Sequence, residues 1–381
     1  MVCRDSSRGF RLLFLQPQPC IRTLKYAKAL KHVLGGKISI SLAHMGHDLK
    51  ALYGYGEGYF DNIIRRKGES LDSFVSNAVD DTRPEIIHSH NAPDYLTIAA
   101  SRTSQGIPVV HDTHEVLSIH HSGFFSEDNE GSLSRYALEE KVANERSNAR
   151  VYATDGIRRY IQRRYRVNRD NDLVFPNHVS RSCLPKSFKR KLSDRDGQTH
   201  IAYVGCVTSL LRESHYYLLD IFKELASHKL HIHIHPTSDL ITRSNQAYKE
   251  LAEKNGFVHY HEHMDRRELL KQLTQYDYGW AGLNTASNTK HLEIALPNKV
   301  IEYVACGLPV LAFPHNAIRH FIEKGGVGLV GKNVHDLAEQ LADLDPSELE
   351  SNAKKCTQSV IIEDRIGQLI DLYQLLIDQR A

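Results

Sequence analysis

LPNKVIEYVACGLPVLAF (296–313) joins a helix to a strand through one glycine, and its reading sets the fold around it. Pro297 has the backbone angle favoured in a helix's first turn, and Gly307 can take the left-handed conformation that ends one. A helix of about ten residues is predicted between them, followed by a buried strand. The first backbone N–H groups of that helix, at Asn298 and Lys299, have no intrahelical acceptor. Together with the helix dipole and the Lys299 ammonium they make a cradle for phosphate. Glu302 lies four residues after Asn298, on the same face one turn deeper, where a carboxylate accepts bonds from a ribose diol. Phosphate and ribose thus fit one helix end.

Working outward, the same strand–helix alternation fills the chain. RLLFLQ (11–16) reads as a strand, IRTLKYAKALKHVLGG (21–36) as an amphipathic helix closed by glycines, and KISISLAH (37–44) as the next strand. EIIHSH (85–90), a helix over 93–106 and PVVHDTHE (108–115) repeat the unit. Near 175 the pattern stops: PNHVSRSCLPKSFKRKLSDRDGQ (176–198) carries two prolines, many basic residues and little periodicity, as a linker does. The alternation restarts with HIAYVG (200–205), LHIHIH (230–235) and FVHYHEH (257–263) as strands, and runs through YGWAGL to the opening segment. Such units imply parallel sheets covered by helices on both faces, so the expectation is an α/β protein of two doubly wound Rossmann-like domains facing a cleft.

Composition narrows the class. A chain of 381 residues exceeds what one core usually holds, and 41% apolar with 25% charged residues is globular. No apolar run approaches the roughly 20 residues that span a bilayer, which leads to the expectation of a cytosolic protein. Cys3, Cys20, Cys183, Cys206, Cys306 and Cys356 show no C-x-x-C pair and are expected to stay reduced. A net charge of +2 gives no reason to expect nucleic acid. The basic stretch RRYIQRRYRVNR (158–169) has two readings, a solvated helix face or a contact with a membrane surface or anionic acceptor.

With these residues in view, the chain resembles the retaining GT-B glycosyltransferases of the glycosyl transferases group 1 type. That family's donor helix reads P-x-K-x-x-E-Y-x-A-x-G-x-P-V, and this chain has PNKVIEYVACGLPV. In the first half, IIHSHNAPDYL (86–96) and PVVHDTHE (108–115) are similar to the family's strand ends. The resemblance implies residues 1–175 as an acceptor domain, 176–198 as linker, 199–356 as a nucleotide-sugar domain, and 357–381 as a last helix able to pack back on the first domain. It further implies that Glu302 binds the donor ribose, that His111 reaches the donor sugar as a catalytic group, and that Asp112 orients its surroundings. Pro297, Asn298, Lys299, Gly205 and Arg212 are then expected around the diphosphate, and His263 near the base. Arg22, Lys25, His90 and Asn91 are expected on the acceptor side.

Three departures qualify the likeness. Members often carry a second glutamate separated from the ribose glutamate by seven residues, but that position here is Ile294; Glu293, one place off, is expected to reach the donor through a loop adjustment, with Asn284, Thr285 or amides of the loop 284–296 as alternatives for holding the sugar. Cys206 stands where an arginine often follows the strand-ending glycine, leaving Arg212 as the nearby cation. The glycine-rich first loop is replaced by QPQPCIRTLK (16–25), and YGYGEGY (53–59) lacks dinucleotide spacing and reads as a surface loop.

His231, His233 and His235 alternate on one strand and His259, His261 and His263 on the next, three to a face. Clustered imidazoles can bind zinc, but no cysteine or carboxylate set completes a tetrahedral site, and no metal or other cofactor is expected. The expected activity is transfer of a sugar from a nucleoside-diphosphate sugar to a glycan, a lipid-linked acceptor or a small molecule, with retention by resemblance. A sugar-nucleotide 2-epimerase of the same fold and a catalytically inactive nucleotide- or glycan-binding protein are the alternatives.

Overall fold

The computed structural model describes residues 9–120, 130–167, 171–237, 245–284 and 288–380. These fall into two compact units. The first comprises residues 9–118, 130–176 and 362–380, and the second residues 119–120 with the described part of 177–361.

In the first unit seven strands, β1 Phe10–Gln16, β2 Ile38–His44, β3 Asn62–Arg65, β4 Ile86–His90, β5 Val109–Thr113, β6 Ala149–Tyr152 and β7 Leu173–Val174, form one sheet in the order β3-β2-β1-β4-β5-β6-β7. Every pairing is parallel. β1, β4 and β5 are buried along almost their whole length, as strands covered on both faces must be. β3 and the helix Leu71–Thr82 escaped the sequence reading. β3 is a short, largely exposed edge strand without a run of buried residues, and its helix starts at Ser70, whose hydroxyl accepts from Ser73 N–H.

In the second unit β8 His200–Gly205, β9 His231–Pro236, β10 Val258–Tyr260, β11 Tyr278–Trp280, β12 Val310–Ala312 and β13 Gly328–Val330 form a six-stranded sheet in the order β10-β9-β8-β11-β12-β13. Its pairings are also parallel. β10 stops at Tyr260, so His261 and His263 lie beyond the strand that the alternating pattern extended to 263. The stretch after Pro176 is hydrogen-bonded into this unit: Val179 N–H donates to Val360 O (2.9 Å) and Leu192 N–H to Gln275 O (2.9 Å).

Both sheets step outward from their first strand on one side and then jump to the other side for the fourth. That reversal, between β1 and β4 and again between β8 and β11, opens a crevice at the carboxyl ends of the strands. The terminal helix Gly367–Arg380 packs on the first unit, where the Tyr373 hydroxyl lies 2.6 Å from His88 Nδ1.

Candidate functional site

At the reversal point of the second sheet, β8 ends in Gly205 with φ of 143°, a conformation that side chains rarely adopt. A Cβ there would sit 3.1 Å from Lys299 Nζ and 3.2 Å from the Tyr203 hydroxyl. The glycine therefore leaves room for the lysine. Lys299 belongs to the helix Asn298–Ala305, which begins after the extended Pro297 and is closed near Gly307 (φ 69°). Its register is set by Tyr303. That hydroxyl accepts from Val204 N–H (2.9 Å) and donates to Trp280 O (3.1 Å), pinning the helix across β8 and β11. The ring lies against Gly279, where a Cβ would come within 2.2 Å of it.

Lys299 is 8% exposed, and its ammonium stands 3.9 Å from the centroid of the Tyr203 ring. Among the described residues Nζ has no hydrogen-bond partner. Burial pushes its pKa down to about 7, with Cys206 and Glu302 pulling the other way. A cation over an aromatic face recovers part of the lost hydration, but a buried ammonium without an acceptor is costly.

Glu302, one turn deeper, is 4% exposed and accepts a bond from Arg266 Nη2 through Oε1. Arg266 opens a helix capped by Asp265, whose carboxylate accepts from the N–H groups of Arg267 (2.9 Å) and Glu268 (3.2 Å). His263 is exposed, with Nδ1 3.4 Å from Pro236 O, and Pro236 is the register partner of Gly205. Cys206 Sγ lies 3.2 Å from the Thr237 hydroxyl, and burial raises its thiol pKa. Gly205, Pro297, Asn298, Lys299, Glu302 and His263 therefore share the carboxyl end of this sheet.

Two expected donor residues have other attachments. The exposed Arg212 stands 5.8 Å from the Tyr217 ring. Glu293 caps the helix Asn316–Gly325, accepting from Asn316 N–H (3.1 Å) with His315 Nδ1 at 3.4 Å. Asn284 donates to the carbonyls of Arg212 (2.6 Å) and Ser214 (3.0 Å), and Thr285 lies outside the described residues. The sequence reading does not place Tyr203, Gly279, Arg266 or Tyr303 in the site; Gly279, inside β11, is the one local sign among them of a close helix approach.

The strand ends of the first unit are built differently. Asp112 is fully buried, receiving two bonds from Arg22 Nε (3.1 and 3.0 Å) and one from the Tyr26 hydroxyl (3.0 Å), with His88 Nε2 at 3.3 Å. Burial alone would raise its carboxyl pKa, but Arg22, His90, His114 and His88 outweigh it and hold it well below the usual range. Arg22 also donates to Phe175 O (2.6 Å) and faces inward. His90 stacks on His88 at 4.7 Å, lies 2.9 Å from the Thr23 hydroxyl, and is held neutral by burial, which lowers its pKa well below 6.5 despite Asp112. Lys25 is buried on the same helix as Arg22, Ile21–Leu34. Asn91 accepts from the N–H groups of His114 (3.1 Å) and Glu115 (3.4 Å), tying the end of β4 to the loop after β5. His111 is enclosed: Nδ1 lies 2.8 Å from the Thr97 hydroxyl and Nε2 2.9 Å from Asp94 Oδ1, all three buried.

On the basic helix Asp155–Tyr165, Arg158 and Arg159 close onto Asp155, while Arg163 and Arg164 are exposed; residues 168–169 lie outside the described ones. No described helix is long and apolar enough to cross a membrane.

Over 97% of its length the chain superposes on the whole of sucrose-phosphate synthase from Thermosynechococcus elongatus, with a TM-score of 0.68 at 13% identity. The fold is GT-B. The HepE protein of Anabaena, solved in complex with UDP, has the same GT-B architecture (TM-score 0.63, 14% identity, 95% of this chain and 98% of that one). So does a protein described as a UDP-N-acetylglucosamine 2-epimerase from Listeria monocytogenes (TM-score 0.64, 10% identity, 97% of each chain). Two family models match parts of the sequence: Glycosyltransferase Family 4 over residues 59–182, and the C-terminal domain of Glucosyltransferase 3-like proteins over residues 226–362. No curated protein sequence matches.

Proposed function

We propose that this GT-B protein is a glycosyltransferase whose second unit binds a nucleoside-diphosphate sugar at the carboxyl end of β8, with the diphosphate on Lys299. The observation that carries the reading is the buried ammonium of Lys299, without a partner among the described residues, beside a glycine and the first turn of a helix. Phosphate oxygens supply acceptors for this cation, at a helix start whose dipole favours an anion. Glu302, oriented by Arg266, is assigned to the ribose diol, and His263 to the base side. UDP in the Anabaena neighbour and the two glycosyltransferase-domain models support the same reading.

Transfer breaks the bond between the sugar's anomeric carbon and the diphosphate, so negative charge grows on the leaving phosphate. A cation in a low-dielectric site stabilises that charge more than it would in water. The reading includes retention of configuration and turnover without an added divalent cation, since Lys299 and the helix amides meet the developing charge.

UDP-glucose is the first donor to test, given the glucosyltransferase-like match. Incubating the protein with it and an acceptor mixture should release UDP and give a glucosylated product, with anomeric configuration read by NMR. The epimerase neighbour supports a second reading. Inversion at C2 of UDP-N-acetylglucosamine without transfer would establish that reading, and tight binding without either reaction would make the chain a nucleotide-binding module.

A further inference from the structure

We propose that the amino-terminal edge of the second sheet binds one divalent transition cation of the zinc class through Asp196, His200 and His231. This edge lies five residues from Gly205 along β8, about 16 Å from the phosphate end at the rise of a strand. It is separate from the donor site.

One ligand atom from each of the three residues lies within 4.8 Å of the others. Asp196 Oδ2 is 3.0 Å from His200 Nε2, and the two imidazoles stack at 4.4 Å with planes 10° apart. Gln198 Oε1, 2.9 Å from His231 Nε2, adds a further oxygen. Two imidazoles with a carboxylate and an amide oxygen form a borderline donor set, which suits zinc, nickel or copper better than magnesium or calcium. The Asp196 side chain is 41% exposed, so an ion can enter from solvent, whereas His200 is buried at 6% and held in place.

What lies behind the ligands distinguishes this edge from an ordinary histidine–carboxylate pair. His200 Nδ1 is 2.9 Å from His233 Nε2, and His233 Nδ1 is 3.0 Å from His261 Nε2. His231 Nδ1 is 2.9 Å from His259 Nε2. Each outer ring thus has its inner nitrogen fixed by another imidazole, and such a hydrogen bond orients a ligating histidine and sets its tautomer. Neutral rings also carry one proton each, so the two chains have only two consistent protonation patterns. With no ion bound, Nε2–H of His200 points at Asp196, and His233 carries its proton on Nε2. With an ion on His200 Nε2, the proton of His200 sits on Nδ1 and donates inward, and His233 carries its proton on Nδ1. Binding therefore reverses a row of hydrogen bonds without releasing a proton from it.

The test titrates the metal-free full chain with Co²⁺ and Zn²⁺ and compares it with Asp196→Asn and His231→Gln. Circular dichroism and the metal-free melting temperature check that both variants fold. The expected result is one equivalent of Co²⁺ with a visible d–d band, Zn²⁺ competing for it, and at least tenfold weaker binding in each variant. A third readout follows the ring nitrogens of His233 by ¹⁵N NMR, where Zn²⁺ should move the proton from Nε2 to Nδ1. With 23 histidines in the chain, adventitious binding is the natural competitor. Absence of binding, affinity in either variant equal to that of the natural chain, or binding without the His233 tautomer change would each overturn the proposal.

Discussion

The two sheets share one topology yet finish their central strands in opposite ways. At the carboxyl ends of β4 and β5 the charges are closed on one another: Asp112 meets Arg22, Tyr26 and His88 within 3.3 Å, and none of them is exposed. At the end of β8 a cation of similar burial, Lys299, faces a glycine and an aromatic ring and finds no acceptor among the described residues. A closed polar network holds a fold in one arrangement, whereas a buried charge without an acceptor is where we propose that a ligand binds. Burial alone does not separate the two cases; satisfaction does.

The largest effect should come from breaking the closed end. Arg22→Met leaves the Asp112 carboxylate buried without its guanidinium partner, and losing one partner of a buried pair costs about 3–5 kcal/mol. Urea unfolding should show a loss of that size, and Arg22→Met with Asp112→Asn should recover part of it. A loss under about 1 kcal/mol, on the scale of an exposed pair, would mean the network is not what holds this end together.

The open end should respond with the opposite sign. Lys299→Met removes an unsatisfied ammonium of similar length and should stabilise the ligand-free protein by about 1–4 kcal/mol, read as a raised melting temperature. The pH dependence follows from the lowered pKa. Between about 7 in the folded chain and 10.5 unfolded, the unfolded state holds a proton that the folded state lacks. Ligand-free stability should therefore rise with pH across that window in the natural chain, and this increment should be absent in the variant.

A smaller change sharpens the ribose assignment. Glu302→Gln keeps the side chain's shape but loses charge-assisted bonds to Arg266 and the diol, so nucleoside-diphosphate affinity should fall by roughly 1.5–3 kcal/mol. Calorimetric titration with UDP measures it, and an unchanged affinity would place the ribose elsewhere.

The contrast also explains what was legible in the sequence. Alternating apolar runs and glycine stops disclosed both sheets, because parallel buried strands and helix ends are local patterns. The helix start at the end of β8 was legible for the same reason: Pro297, Lys299, Glu302 and Gly307 sit within one helix and its cap. Partners brought together by folding left no local trace. Arg266 reaches Glu302 from 36 residues away, and Arg22 reaches Asp112 from 90. His111 was placed by its strand end, while the Asp94 and Thr97 that enclose it come from a helix start whose side-chain directions no spacing reveals. The histidine strands were read as one-faced rows. His200 and Asp196, which continue those rows to the sheet edge, belong to other segments.

The most direct test of the phosphate assignment is calorimetric titration of the natural chain and Lys299→Met with UDP at pH 6.5 and 8.5, each in buffers of different ionisation enthalpy. A diphosphate beside Lys299 raises the lysine's pKa, so at pH 8.5 binding should take up close to one more proton in the natural chain than in the variant. The comparison cancels any titration of UDP itself. Affinity should fall from pH 6.5 to 8.5 in the natural chain, and the variant should bind at least tenfold more weakly at pH 6.5. Equal affinities and equal proton counts in the two proteins would contradict the account, because Lys299 would then be a buried cation that the nucleotide never meets.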